Sequence, residues 1–213
     1  MSQNETLKQL QQLLGPKGFS TDPAELAPWT TDWRGRYSGK AAALLSPAST
    51  EEVAAIVKLA SALGLPLVPQ GGNSGMVAGA TPDASGMSCL LSLRRMNQIE
   101  KIDPAARLVQ CGAGVILQNL HEAVAAQDMR FPLTLGGKGS ATIGGLVSTN
   151  AGGTQVLRHG TMRALVAGLQ AVLRREVFDP NLDVAGDATG NWLAGLNYLI
   201  KGDDIKLMGS RSA

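Results

Sequence analysis

A chain of 213 residues, 44% hydrophobic and 17% charged, is long enough to bury a substantial core as one large domain or two small lobes. Its 19 basic and 17 acidic residues leave a net charge of +2 without long like-charge runs, which excludes the electrostatic footprint of a nucleic-acid or anionic-membrane binder and points to a small partner. Cys89 and Cys111 lack CxxC spacing and sit in apolar, strand-like surroundings (SCLLSL, RLVQCGAG), so they read as buried reduced thiols; neither a zinc site nor a disulfide scaffold is indicated.

The opening MSQNETLKQLQQLL lacks the basic start and unbroken apolar core of a secretory signal, and no later apolar run is long enough for a bilayer, so the expectation is a cytoplasmic protein without membrane insertion. Leu7, Leu10, Leu13 and Leu14 recur at helical spacing, and GPKG closes that amphipathic segment. Residues 27–40, APWTTDWRGRYSGK, have no periodicity and read as a long loop; AAALL at 41–45 reads as a buried strand. Ser49 and Glu52 form a capping box ahead of the apolar stripe Val53, Ile56, Val57, Ala60 and Leu63, and Gly64 with Pro66 stops that helix. The strand LPLVP follows, which places residues 70–75 at a strand's carboxyl end, where α/β units present loops to ligands.

CLLSL, QIEKI and RLVQC then read as three strands joined by short turns. A helix is expected over 115–126 with Leu117, Leu120 and Val124 inward; His121 shares that face as a packed or capped core residue. Residues 131–154, FPLTLGGKGSATIGGLVSTNAGGT, hold a second glycine concentration that punctuates an apolar segment. Residues 162–172 and then REVF return to strand character, and no internal repeat is visible.

A glycine has no β-carbon to hold a ligand away, so a glycine cluster can turn successive backbone amides into one concavity that binds anionic oxygen. In PQGGNSG, Asn73 and Ser74 could add side-chain donors and Gln70 could fix the loop; tight turns are the alternative reading of either cluster alone. The second cluster adds Lys138, Ser140, Thr142, Gly144 and Gly145 ahead of NAGGT, so one ligand could be gripped along its length. A diphosphate-linked cofactor fits, its charge needing donors and its flat rings needing unobstructed apolar slots. A P-loop is excluded because no GxxxxGK is followed by Ser or Thr, and GAG at 112–114 supplies only half of GxGxxG.

The segments PASTEEVAAIVKLA, PLVPQGGNSGMVAGA, LSLRRMNQIEKID, FPLTLGGKGSATIGGLVSTNAGGT and VLRHGTMRALVAGL together resemble, in order, the FAD-binding domain of flavin-linked D-2-hydroxyacid dehydrogenases. That group contains D-lactate dehydrogenases, glycolate oxidase flavoprotein subunits and D-2-hydroxyglutarate dehydrogenases, within the vanillyl-alcohol oxidase type superfamily. The resemblance covers about residues 32–173 and implies an α+β domain of two packed subdomains with FAD between them. By it, Pro69, Gln70, Gly71, Gly72, Asn73, Ser74 and Gly75 belong to the pyrophosphate loop. Leu135, Gly136, Lys138, Gly139, Ser140, Thr142 and Gly145 belong to a second cofactor segment that Asn150, Gly152, Gly153 and Thr154 continue. The first loop has no histidine of the kind that attaches flavin covalently in some relatives, which implies noncovalent FAD. His159 stands where relatives commonly carry an aromatic residue. Arg34 and Arg36 match a family stretch and could lie near the cofactor, face an acidic substrate or form a loop salt bridge, whereas Arg94 and Arg95 read as the polar face of a strand and turn.

The implied organisation is an N-terminal helix and loop at 1–40, subdomains at about 41–100 and 101–173, and a degenerate end of the flavin domain at 174–213, where DATGNWLAGLNYLIKGDDIKLMGSRSA lacks the family's GSEGT element. The substrate-cap domain that follows in the family is absent from this sequence. No catalytic base or metal site can be named from the residues present. The expected partners are a small hydroxyacid, if a missing region completes the site, and a second copy or partner subunit. The functions implied are an FAD-linked oxidoreductase or, alternatively, a noncatalytic flavin module, a split-enzyme component or a truncated product.

Overall fold

The computed structural model describes residues 3–172 and the backbone of a strand at Asn197–Lys201. The strand reading of REVF, and the degenerate end of the flavin domain at 174–213 apart from residues 197–201, fall outside the described residues.

Helix α1 (Gln3–Gly18) turns Thr6, Leu10 and Leu14 inward, while Leu13 stays exposed. Gly15, at φ 63°, and Pro16 break its regular geometry at the expected place. Strand β1 (Phe19–Ser20) leads to a single-turn helix, α2 (Pro23–Leu26), whose first turn is capped by the Asp22 carboxylate accepting from the Ala24 amide at 2.8 Å. The expected loop begins with a 3-10 turn at Ala27–Trp29 and folds back through a bridge between Thr31 and Ser38.

Strand β2 (Ala43–Leu45), helix α3 (Thr50–Leu63), strand β3 (Leu67–Gln70) and strand β4 (Cys89–Ser92) complete the first sheet, ordered β1-β2-β4-β3. β2, β4 and β3 are parallel, with β1 antiparallel at one edge. The α3 boundaries follow the local chemistry. Ser49 Oγ accepts from the Glu52 amide at 3.2 Å, Glu52 Oε2 accepts from the Ala48 amide at 2.7 Å, and Gly64 ends the helix at φ 66°. Replacing Ser49 by Ala leaves that amide without its acceptor, and an urea titration should show a loss of about 1 kcal/mol, with no change in flavin content.

The second sheet is antiparallel throughout. It contains β5 (Ile99–Asp103), β6 (Leu108–Gly112), β7 (Val166–Leu169) and β8 (Asn197–Lys201), in the order β5-β6-β8-β7. Helices α4 (Leu117–Ala125), α5 (Ile143–Ser148), α6 (Val156–His159) and α7 (Met162–Leu165) lie between β6 and β7 in the chain. Two differences from the sequence reading stand out. Residues 143–148 form a helix despite the GG pair, because Ile143, Gly144 and Leu146 are buried and packing overrides weak helix propensity. Residues 162–165 are helical before β7 begins, so only the second part of that segment is a strand.

One hydrophobic core runs through both sheets, from Leu10, Leu45, Ile56 and Leu91 to Val109, Leu120, Phe131 and Ile143. Cys89 and Cys111 are fully buried within it, and burial raises the Cys89 thiol pKa to about 11 and drives that of Cys111 further up. His121 is placed as expected: its Nε2–H donates to the Leu133 carbonyl at 2.9 Å and its ring lies 6.1 Å from that of Phe131. Burial lowers its pKa, which keeps the imidazole neutral. Among the described residues, no helix is long and apolar enough to cross a membrane.

Candidate cofactor site

The two glycine-rich segments meet. An ideal Cβ on Gly72 would stand 1.8 Å from the Ser140 carbonyl oxygen, and one on Gly71 would stand 2.1 Å from Thr142 Oγ1, so the two backbones touch where any side chain would force them apart. Their contact lies in the wall of a cleft of about 1530 Å³, which extends from Trp33 and the 69–77 segment across to the 135–151 segment.

The first loop leaves the free edge of the sheet at the end of β3. Backbone hydrogen bonding among the described residues uses none of the amides from residues 71–75, so these donors are held in position without an internal acceptor. The loop is fixed instead by its side chains and carbonyls. Gln70, only 3% exposed, spends both amide hydrogens on the carbonyls of Trp29 and Ala80, each at 2.9 Å. Asn73 sits at φ 49° and donates through Nδ2 to the Thr31 carbonyl at 2.8 Å. Arg94, read from sequence as part of the polar face of a strand and turn, lies in a turn and is half-buried beneath the loop. Its Nε donates to the Gly71 carbonyl at 3.1 Å, and its guanidinium lies 3.4 Å above the Trp29 ring. Burial lowers the pKa of Arg94, yet a guanidinium remains cationic, so its charge biases the loop toward an anion. Arg95 donates to the Ser46 carbonyl at 2.6 Å.

The second segment is partly spent on itself, since the amides of Ser140 and Ala141 both donate to the Gly137 carbonyl. Thr142 differs. It is 2% exposed, it lines the cleft, and its Oγ1 has no hydrogen-bond partner, which is costly unless something in the cleft completes it. Gly75 and Gly136 also line the cleft, and a Cβ on either would meet no atom within 4 Å, so both leave bare backbone facing open space. Unspent amides, an orphaned hydroxyl and missing side chains are what a diphosphate bridge and flat rings require, and the residues present therefore fit FAD.

Of the residues expected to hold cofactor, the cleft gathers Pro69, Gln70, Gly71, Gly72, Asn73, Ser74, Gly75, Leu135, Gly136, Gly139, Ser140, Thr142 and Gly145. It does not gather Lys138, whose carbonyl accepts from the Gln118 amide, or Asn150, Gly152, Gly153 and Thr154. Thr154 and Asn150 instead brace the segment: the Thr154 amide donates to the Thr134 carbonyl at 2.8 Å, and Asn150 Oδ1 accepts from the Arg163 amide at 2.9 Å. His159 ends α6 and is not in the lining. Arg34 and Arg36 are exposed, and their amides bind the Asp32 carboxylate. Sequence reasoning passed over Trp33, Ala113 and Leu146, which also line the cleft; they come from separate elements and carry no shared local pattern.

One mixed and one antiparallel sheet, with a glycine-lined cleft at the carboxyl end of β3, make an α+β fold. The chain belongs to the FAD binding domain family, which it matches over residues 41–176. The fold is shared with alkyldihydroxyacetonephosphate synthase (TM-score 0.81, 18% identity, 100% of this chain and 42% of that one). It is shared also with p-cresol methylhydroxylase (TM-score 0.72, 18% identity, 99% of this chain and 44% of that one). Similar sequences include the D-2-hydroxyglutarate dehydrogenase of Bos taurus, mitochondrial, 43% identical over 158 residues, 74% of this chain and 29% of that protein. The D-2-hydroxyglutarate–pyruvate transhydrogenase of Saccharomyces cerevisiae is 39% identical over 154 residues, 72% of this chain and 31% of that protein. The chain thus spans under a third of the length of these relatives.

Proposed function

We propose that this chain is the flavin-holding part of an oxidoreductase acting on D-2-hydroxyacids, with FAD bound noncovalently in the cleft. The observation that carries the reading is the contact between the two glycine segments beside a row of unspent amides. In this reading the amides of residues 71–75 and the Thr142 hydroxyl donate to the diphosphate, and Gly75, Gly136 and Gly145 give close approach. Pro69 and Leu135 shape the slot for a ring, while Gln70, Asn73 and Arg94 hold the first loop in place. Lys138, Asn150, Gly152, Gly153 and Thr154 support the second segment. FAD, when bound, supplies the electron sink that takes a hydride from the substrate carbon. The described lining contains no ionisable side chain, so the group that takes the hydroxyl proton lies outside it.

The domain reading is part of the same proposal: residues 1–40 as an N-terminal attachment, subdomains at about 41–100 and 101–173, and 174–213 as the end of the flavin domain. The change of sheet between Ser92 and Ile99 supports that division. Cytoplasmic residence is also proposed; the bovine relative is named as mitochondrial, and cell fractionation decides.

A second reading is a flavin-binding component whose substrate contacts come from a partner subunit or a second copy, favoured by a described cleft lining that holds no acid or base of its own. One experiment addresses both. Purified protein is expected to take up FAD to a yellow form, and acid precipitation is expected to release the flavin into the supernatant. Anaerobic titration with a panel of D-2-hydroxyacids then separates the readings: bleaching by the chain alone supports the first, and bleaching only with an added partner supports the second. A folded sample that retains no flavin after equilibration with high micromolar FAD and removal of the unbound ligand would overturn both.

A further inference from the structure

We propose that Trp33 is a binding residue of the cleft, its indole stacking on a flat ring of the bound nucleotide. The inference rests on the reading of the cleft as a flavin-nucleotide site. Residues 30–39 fold into a narrow hairpin held from within. The Asp32 carboxylate accepts from the amides of Tyr37, Arg36 and Arg34 at 2.6, 2.7 and 3.0 Å, and the Asp32 amide donates to the Tyr37 carbonyl at 2.9 Å. Thr31 and Ser38 pair across the base of the hairpin, and their hydroxyls lie 3.0 Å apart. These amides, the Tyr37 amide foremost, hold the Asp32 carboxyl below the usual carboxylate range, so it stays ionised at neutral pH.

The hairpin is also tied to the first glycine loop. Asn73 Nδ2 donates to the Thr31 carbonyl at 2.8 Å, which fixes the position of Trp33 relative to the amides of residues 71–75. Trp33 lines the same cleft as that loop and is 62% exposed. Its neighbour Trp29 shows the contrast, because the Trp29 ring is covered by the Arg94 guanidinium at 3.4 Å. Among the described residues Trp33 makes no such ring or cation contact. A large apolar ring left bare on a backbone braced by the four hydrogen bonds of Asp32 is preorganised for a partner, since little conformational freedom is lost when one arrives. The cleft offers the geometry for a ring and the adjacent amides offer the donors for the phosphate attached to it.

The test compares wild type, Trp33→Ala and Trp33→Phe by calorimetric titration with FAD, ADP and FMN, with flavin fluorescence recorded for the two flavins. Because Trp33 is exposed, both variants should melt with wild type. Trp33→Ala should lose roughly tenfold in FAD affinity, the scale of one base–aromatic stack, and Trp33→Phe should recover most of it. A matching loss with ADP assigns the stack to adenine. A matching loss with FMN, accompanied by brighter bound flavin in Trp33→Ala, assigns it to the isoalloxazine. If wild type takes up FAD and Trp33→Ala binds all three ligands within twofold of it, or loses FAD affinity that neither half-ligand reports, the proposal is overturned. Failure of wild type to bind any of the three overturns the flavin reading and this proposal with it.

Discussion

Gly72→Ala is expected to lose flavin and fold stability together, whereas Gly136→Ala is expected to lose flavin affinity alone. The difference lies in what the new methyl group meets. At Gly72 it would stand 1.8 Å from the Ser140 carbonyl oxygen, a backbone atom that cannot swing aside, so the two segments must separate. Overpacking of that kind costs up to about 3 kcal/mol, sometimes more. If the same separation has to be reversed before cofactor is held, affinity falls by roughly 100-fold as well. At Gly136 the methyl meets nothing within 4 Å and projects from a cleft wall. Stability should then stay within about 0.5 kcal/mol of wild type, and affinity should fall by roughly tenfold because ring or phosphate can no longer approach the backbone. Thermal melting of the apoprotein and FAD titration measure the two quantities separately. A Gly72→Ala protein that melts and binds like wild type would show that the segments do not touch in solution.

Phe131→Ala carries the other large effect. Phe131 is 1% exposed and is the largest side chain among the most deeply buried residues. Its ring packs near His121, whose imidazole holds the Leu133 carbonyl, so the same cluster that fills the core also anchors the segment leading to Leu135 and Gly136 in the cleft. Truncation removes transfer free energy and leaves a cavity, together about 3–5 kcal/mol. Against a total stability on the order of 5–15 kcal/mol, that loss is a large share of what holds the domain. Urea denaturation should show the midpoint falling with little change in slope, and Phe131→Leu, which keeps most of the volume, should cost under about 1.5 kcal/mol. A midpoint for Phe131→Ala indistinguishable from wild type would mean that the core does not close around this ring.

Much of the fold was legible where local chemistry and periodicity agree. The N-cap at Ser49, the stripe from Val53 to Ala60 and the stop at Gly64 each report on contacts within a few residues, and the observed α3 follows them. The strands at 43–45 and 89–92 likewise lie inside the apolar runs that suggested them, and those at 67–70, 99–103 and 108–112 each run one residue past theirs. Helix α5 was not legible, because glycines and β-branched residues disfavour a helix locally and only burial between elements makes one there. Arg94 was misread for a related reason. Next to Arg95 after an apolar run it looks like a solvated turn, and the Trp29 ring that covers its guanidinium lies 65 positions away in the sequence.

From its residues alone the chain specified two glycine-rich segments suited to an anionic, flat-ringed cofactor, and it specified them because bare backbone is a property of residue type. Which donors face the cleft was decided only by tertiary packing. Gln70 and Asn73 had the right chemistry for ligands, but long-range acceptors on Trp29, Ala80 and Thr31 engage them in holding the loop. Thr142 was left without a partner, and Trp33 was left bare. A side chain's capacity to donate is written in its formula, whereas whether that capacity is still unspent depends on neighbours brought in from elsewhere in the chain.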